Sequence, residues 1–170
     1  MEVVLLVDLG DEAVRVVAER VELAAGDGVG AQSVRRIGVV RELTYETGRK
    51  TQLIDVTQDV RAAVDGVDGS AVLVYVPHTT AAVTINEKID PVLVEDLERA
   101  FEKVVGDDWG WRHDDVDGPN GPSHGRASVA GSQVLVPLRE GGLALGRYQA
   151  IFLCEFDGPK RRSVYVTVLQ

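Results

Sequence analysis

The sequence predicts an α+β domain with more strand than helix, and three observations carry that expectation. Short apolar runs rich in valine and isoleucine recur along the chain, most densely after residue 130. The best helical pattern is the stretch opened by Asp90-Pro91, and the other helical segments are short or weak. Glycine, proline and aspartate clusters punctuate the runs at short intervals, as turns require. A chain of 170 residues is long enough for one domain with a proper core and short for two.

Composition narrows the function classes. Hydrophobic residues make up 45% of the chain, and the mean hydropathy of +0.00 is that of an ordinary globular protein. No apolar run approaches the roughly 20 residues a membrane-spanning helix needs, and the start Met1-Glu-Val-Val-Leu-Leu-Val-Asp8 lacks the basic residues of a secretory signal. The net charge of −9 argues against nonspecific contact with nucleic acid or an anionic membrane. A phosphorylated ligand would need a local basic patch or a metal to offset that field. The single cysteine, Cys154, lies in the apolar run Ala150 to Phe156, which fits a buried thiol in a reducing cytoplasm. A cytoplasmic protein is therefore expected.

Taken in order, residues 2–9 read as a short strand. Gly10-Asp-Glu12 reads as a helix start, with Val14, Val17, Val21 and Ala24 at helical spacing. Ala25 to Ala31 is a glycine-rich linker without the spacing of a phosphate loop, so 1–36 is expected to be an extension preceding a main domain, 37–170. Strands at 37–47 and 51–56 flank Thr47-Gly-Arg-Lys50, a hairpin signal. Thr57 is placed to cap a helix through Val64, and Gly66 to Gly69 ends it. A strand at 71–76 and a second at 83–85 follow. The helix opened by Asp90-Pro91 has Val92, Leu93, Leu97, Ala100, Phe101, Val104 and Val105 as its apolar face. Residues 107–122 form a long loop with two tryptophans and five aspartates, and Ser123 to Ala130 a small-residue helix. Strands at 133–137, 143–145, 148–156 and 163–169 complete the chain.

The most informative stretch is Tyr75-Val-Pro-His-Thr-Thr-Ala-Ala-Val-Thr-Ile-Asn-Glu87. Pro77 interrupts an apolar strand just where polar groups begin, and convergent polar side chains at a strand end commonly build a site. A hydrogen-bonded core histidine with strand threonines is the plainer account. The chain's three histidines, His78, His113 and His124, all sit in polar, turn-like sequence. Three imidazoles with an open position would suit a catalytic metal, although these gaps form no local metal motif. Glu87 and Glu155 each end a strand-like run, as a base, a ligand, a supporting partner or a mere edge carboxylate. Lys160-Arg161-Arg162 is either a phosphate contact or a solvated turn.

Together these segments resemble the YjbQ family, described as secondary thiamine-phosphate synthases. The resemblance is carried by Gly131-Ser132, Val136-Pro137, Leu143-Ala-Leu-Gly146, Tyr148-Gln149 and Glu155-Phe-Asp-Gly-Pro159 with the basic residues after it. It is carried too by His78 to Glu87 with Asp90 and Asp96, by Trp111-Arg-His113-Asp-Asp115, and by Pro119-Asn-Gly-Pro-Ser-His124. Lys160 and Tyr148 depart from the commoner arginine and tryptophan, and the first 36 or so residues have no counterpart in the pattern.

The resemblance implies a compact single domain with a β-sandwich of mostly antiparallel strands and a few short helices, assembled as a homotrimer with sites near subunit boundaries. It implies a metal-dependent enzyme acting on a small phosphorylated substrate, with a secondary activity that joins a pyrimidine pyrophosphate to a thiazole phosphate. His78, His113 and His124 are the expected ligands of a divalent metal, zinc or magnesium. Glu87 and Glu155 are the expected catalytic acids or bases. Thr79, Thr80, Asn86, Asn120, Ser132, Gln149, Arg161 and Arg162 are the expected substrate contacts. Two other functions fit the same pocket: metal-assisted hydrolysis of a phosphate ester or anhydride, and non-catalytic binding of a small anion by a trimer.

Overall fold

Strand β9 (Gln149–Glu155) explains the architecture, because every residue from Ala150 to Phe156 is buried. A strand with no exposed face must be covered on both sides. The computed structural model describes residues 3–5, 15–18, 40–88 and 90–170. In it, β9 is the centre of a three-stranded antiparallel sheet between β4 (Gln52–Asp55) and β6 (Ala81–Glu87).

On one side lies a larger antiparallel sheet built from β3 (Val40–Glu46), β5 (Ala71–Tyr75), β7 (Gln133–Arg139), β8 (Gly142–Leu143) and β10 (Arg161–Leu169). With β1 (Val3–Leu5) and β2 (Arg15–Ala18), its order is β1-β2-β3-β10-β5-β7-β8. The two sheets enclose a core of Leu43, Val72, Val74, Val136, Val164 and Val166 against Val83, Ile151 and Leu153, closed by Val60 and Val64 of α1 (Thr57–Val64). On the other side of β9, Ala82, Phe152, Cys154 and Phe156 pack under α2 (Pro91–Val104) and α4 (Gly121–Ala130). Each fully buried Val, Leu, Ile or Phe side chain here stabilises the fold by about 1.5–3 kcal/mol. The fold is thus the expected α+β sandwich, with a helical layer over its smaller sheet. Burial of Cys154 pushes its thiol up to about 12, so it carries almost no thiolate near neutrality.

Several sequence expectations are corrected. Thr47 to Lys50 does not close a hairpin, since β3 pairs with β10 and β4 with β9. The segment instead carries the chain from one sheet to the other. Residues 15–18 form a strand on the edge of β3 and not a helix, because Val16 and Val17 suit a ladder better than a helical turn. The rest of that predicted helix and the glycine-rich linker lie outside the described residues.

Thr57 does not cap α1. Its N–H and hydroxyl both donate to Asp55 Oδ1, at 2.9 and 2.5 Å, and its oxygen accepts the Ile151 N–H. Asp90 does cap α2, accepting the Val92 N–H at 2.9 Å. The inward stripe of α2 is buried Glu98 with half-buried Val94, Leu97 and Phe101, while Val92 and Val104 are exposed. Glu98 can be buried because it accepts the Leu53 N–H and pairs in bidentate fashion with Arg49. The loop at 107–122 contains one further helical turn, α3 (Asp114–Asp117), and α4 starts two residues earlier than expected.

Candidate functional site

The site is built where the chain crosses between sheets. β5 ends at Tyr75, and Val76-Pro-His-Thr-Thr80 carries the backbone across to β6. The Val76 N–H donates to the Ser132 carbonyl at 2.8 Å and the Val83 N–H to the Gly131 carbonyl at 3.0 Å, which pins this corner to the end of α4. Gly131 has φ +91°, a left-handed conformation that lets the chain leave the helix and enter β7 at once. Corner, helix and turn line an open cavity of about 600 Å³. His78, Thr79, His124, Ser128 and Ser132 supply its polar lining, and Tyr75 stands at its side.

His113 joins this cavity through His124, since the two rings meet edge to face with centroids 4.9 Å apart. The tryptophans hold that arrangement. Trp111 donates its indole N–H to the Gly106 carbonyl and stacks on Trp109, centroids 5.9 Å apart. Its ring also presses on Gly125, where a Cβ would lie 2.9 Å from Trp111 Cη2. The residue after His124 therefore has to be small for the loop carrying His113 to dock. Arg126, 1% exposed, fastens α4 to the end of α2 by donating to the Val105 carbonyl and to Asp107.

Beneath the corner lies a closed polar cluster. Glu155 is fully buried; its Oε1 accepts the N–H groups of Phe156 and Asp157 and one from Arg162 Nη2. Its Oε2 accepts from Arg162 Nε at 2.7 Å and from the Thr47 hydroxyl at 3.0 Å. Arg162 also donates to the Thr80 hydroxyl at 2.8 Å. Five donors occupy this carboxylate, and it does not line the cavity. It ties β9, β10 and both crossings together.

His78 accepts the Ser163 N–H on Nε2 at 2.9 Å. Burial, followed by the charge of Arg162, holds its pKa below the ordinary histidine value.

Of the expected site residues, the structure brings His78, Thr79, His124 and Ser132 to the cavity wall and His113 next to it. Thr80 and Arg162 lie in the cluster beneath. Asn120 precedes α4, with its side-chain oxygen buried and unpartnered. Arg161 is exposed, 3.8 Å from Glu46. Glu87, Asn86 and Gln149 are elsewhere. Glu87 pairs with Gln149 at one end of the β6–β9 ladder and Ala81 with Glu155 at the other, six steps or about 20 Å away. Asn86 and Gln149 turn their side-chain oxygens back on nearby backbone N–H groups. Sequence reasoning missed Thr47, Gly125 and Arg126. A lone arginine in a helix of small residues was the one local signal for the last.

Neutral imidazoles are suitable ligands for a divalent metal, and His113 and His124 stand together. Among the described residues, however, no three His, Cys, Asp or Glu side chains form a ligating group. The fit is to a pair of ligands.

The sequence profile of the UPF0047 protein YjbQ-like family matches residues 41–170. The chain belongs to that family. A UPF0047 protein of Archaeoglobus fulgidus is 44% identical over 75% of this chain and 99% of its own length. The UPF0047 protein YugU of Bacillus subtilis is 35% identical over 77% of this chain and 99% of its own. Among solved structures, a YbjQ-like protein of unknown function from Sulfolobus solfataricus superposes with a TM-score of 0.74 at 31% identity, covering 78% of this chain and 96% of the other. A YjbQ/UPF0047-family protein from Clostridium acetobutylicum gives 0.71 at 37%, covering 75% and 98%. No helix among the described residues is long and apolar enough to cross a membrane.

Proposed function

We propose that this family member is a cytoplasmic, metal-dependent enzyme acting on a small phosphorylated substrate, with thiamine-phosphate synthase-like transfer as its reaction class. The gathering of His78, His124 and, through His124, His113 at one polar cavity carries the reading. His113 and His124 would hold the metal, and two imidazoles favour zinc over magnesium. A bound divalent ion would neutralise phosphate charge and stabilise a departing pyrophosphate, which a chain of net charge −9 otherwise opposes. The hydroxyls of Thr79 and Ser132 orient phosphate oxygens by donating to them. Arg161, exposed just past the crossing, adds positive charge.

The test measures metal per chain by mass spectrometry, with pyrophosphate release from a pyrimidine pyrophosphate and a thiazole phosphate. About one divalent ion per site is expected in the wild type. His113→Ala and His124→Ala should each lose it, along with at least tenfold in turnover, while melting as the metal-stripped wild type does. Phosphate released from simple esters instead would favour the hydrolase. A metal-free wild type that binds phosphate compounds without turnover would overturn the enzyme reading in favour of anion binding.

The same reading includes a homotrimer. The outward face of the large sheet supports it: Tyr75 pairs with Tyr165, Leu73 with Leu135, and Thr167 with Val40. Tyr75, Leu135 and Val40 are exposed there, and Tyr75 also lines the cavity, which fits a site beside a subunit boundary. Leu135→Glu should reduce the light-scattering mass from three 18.3 kDa chains to one. A wild type already monomeric at micromolar concentration refutes the assembly.

A further inference from the structure

We propose that His78 is fixed by the Ser163 amide as the Nδ1–H tautomer, and serves the cavity as a hydrogen-bond donor to an acceptor oxygen of the ligand instead of as a metal ligand. The argument begins with strand register. β10 pairs with β5 from Leu169↔Ala71 to Tyr165↔Tyr75, so Ser163 would next face Pro77. β5 has ended there, and the backbone has turned away toward β6. The imidazole of His78 fills the vacated position, and its Nε2 accepts the Ser163 N–H in place of a strand carbonyl.

An amide N–H can only donate, so Nε2 must present its lone pair to it. In the neutral ring the proton is then on Nδ1, and neither nitrogen has a lone pair free for a metal. Ligation through Nδ1 would move the proton to Nε2 and leave the Ser163 N–H without an acceptor. Ser163 is itself held in place. Its hydroxyl donates to Glu42 at 2.5 Å, and its backbone lies opposite Thr44 in the β10–β3 ladder. The depressed pKa of His78 agrees with a ring that stays neutral.

With Nε2 engaged, the Nδ1–H is the polar group this residue has left for the cavity it lines, beside the hydroxyls of Thr79 and Ser132. Such a wall recognises an oxyanion, phosphoryl above all. The proposal thus rests on the phosphate reading of this cavity, but it assigns His78 a different part from His113 and His124.

The test combines nitrogen NMR with ligand binding on the full chain. In long-range proton–nitrogen spectra of labelled protein, His78 should show a protonated Nδ1 and a bare Nε2, unchanged when zinc is added. His78→Leu should keep the wild-type metal content but bind pyrophosphate about tenfold more weakly, the effect of one lost donor to an anion. His78→Gln, whose amide can both donate and accept, should restore most of that binding. A protonated Nε2, or metal lost from both folded His78 variants, overturns the proposal and leaves the enzyme reading standing. A wild type that binds neither zinc nor pyrophosphate sinks the enzyme reading, and the donor role with it.

Discussion

Glu155→Leu is expected to destabilise the protein by about 3–5 kcal/mol in urea unfolding, the usual effect of removing one partner from a buried ion pair. The substitution strands Arg162, whose side chain is 6% exposed and gives both Nε and Nη2 to this carboxylate. It also strips acceptors from two backbone N–H groups and the Thr47 hydroxyl. Arg162→Met should lose a similar amount, because it leaves a buried carboxylate without its cation. The double variant should be more stable than either single one, since no uncompensated charge then remains. This variant also separates catalysis from support. If it refolds and keeps turnover, Glu155 is no base. Single variants within 1 kcal/mol of the wild type would show that the cluster does not hold the crossings together.

The sequence made parts of this arrangement legible and hid others for identifiable reasons. Asp90-Pro91 announces its helix because cap and first turn are neighbours in the chain. The buried run from Ala150 to Phe156 announces a strand, and its lack of alternation reflects cover on both faces. Thr47 to Lys50 misleads because a hairpin signal is local, whereas the sheet each flanking strand joins is decided by β9 and β10, a hundred residues later. Glu155 reads as a catalytic acid or base, or else an edge carboxylate, because its burial depends on Arg162 and Thr47, which no spacing connects to it. The polar, turn-like surroundings of the three histidines are legible in the sequence, but their distances from one another are not. That His113 meets His124 depends on Trp111 docking against Gly125, a packing fact without a motif. Likewise the Ser163 amide that engages His78 follows from where β5 stops, a matter of register and not of residue type.

Gly158→Ala should destabilise the protein by about 3 kcal/mol, the upper part of the usual overpacking range. The turn from β9 to β10 passes against the crossing from β3 to β4, and the Gly158 N–H donates to the Lys50 carbonyl at 3.1 Å. A Cβ on Gly158 would stand 2.2 Å from the Arg49 carbonyl oxygen, 2.8 Å from Thr47 Oγ1 and 2.9 Å from Glu155 Cγ. A backbone oxygen cannot swing aside as a side chain can, so the two crossings must separate. That motion pulls Thr47 from Glu155, and it loosens the turn that delivers Arg162. A loss of this size corresponds to a melting temperature lower by roughly 6–12 °C for a chain of this length. Gly48→Ala is the matched control: it lies in the same crossing, where the nearest atom to a new Cβ is Gln52 Oε1 at 3.9 Å. It should melt within about 2 °C of the wild type, since a surface change away from such contacts stays within about 0.5 kcal/mol. If Gly158→Ala melts with its control, the crossings are not in contact and the buried cluster has some other support. If it melts early and also loses pyrophosphate binding, the packing of these crossings sets the position of the His78 corner, through Arg162 and Thr80.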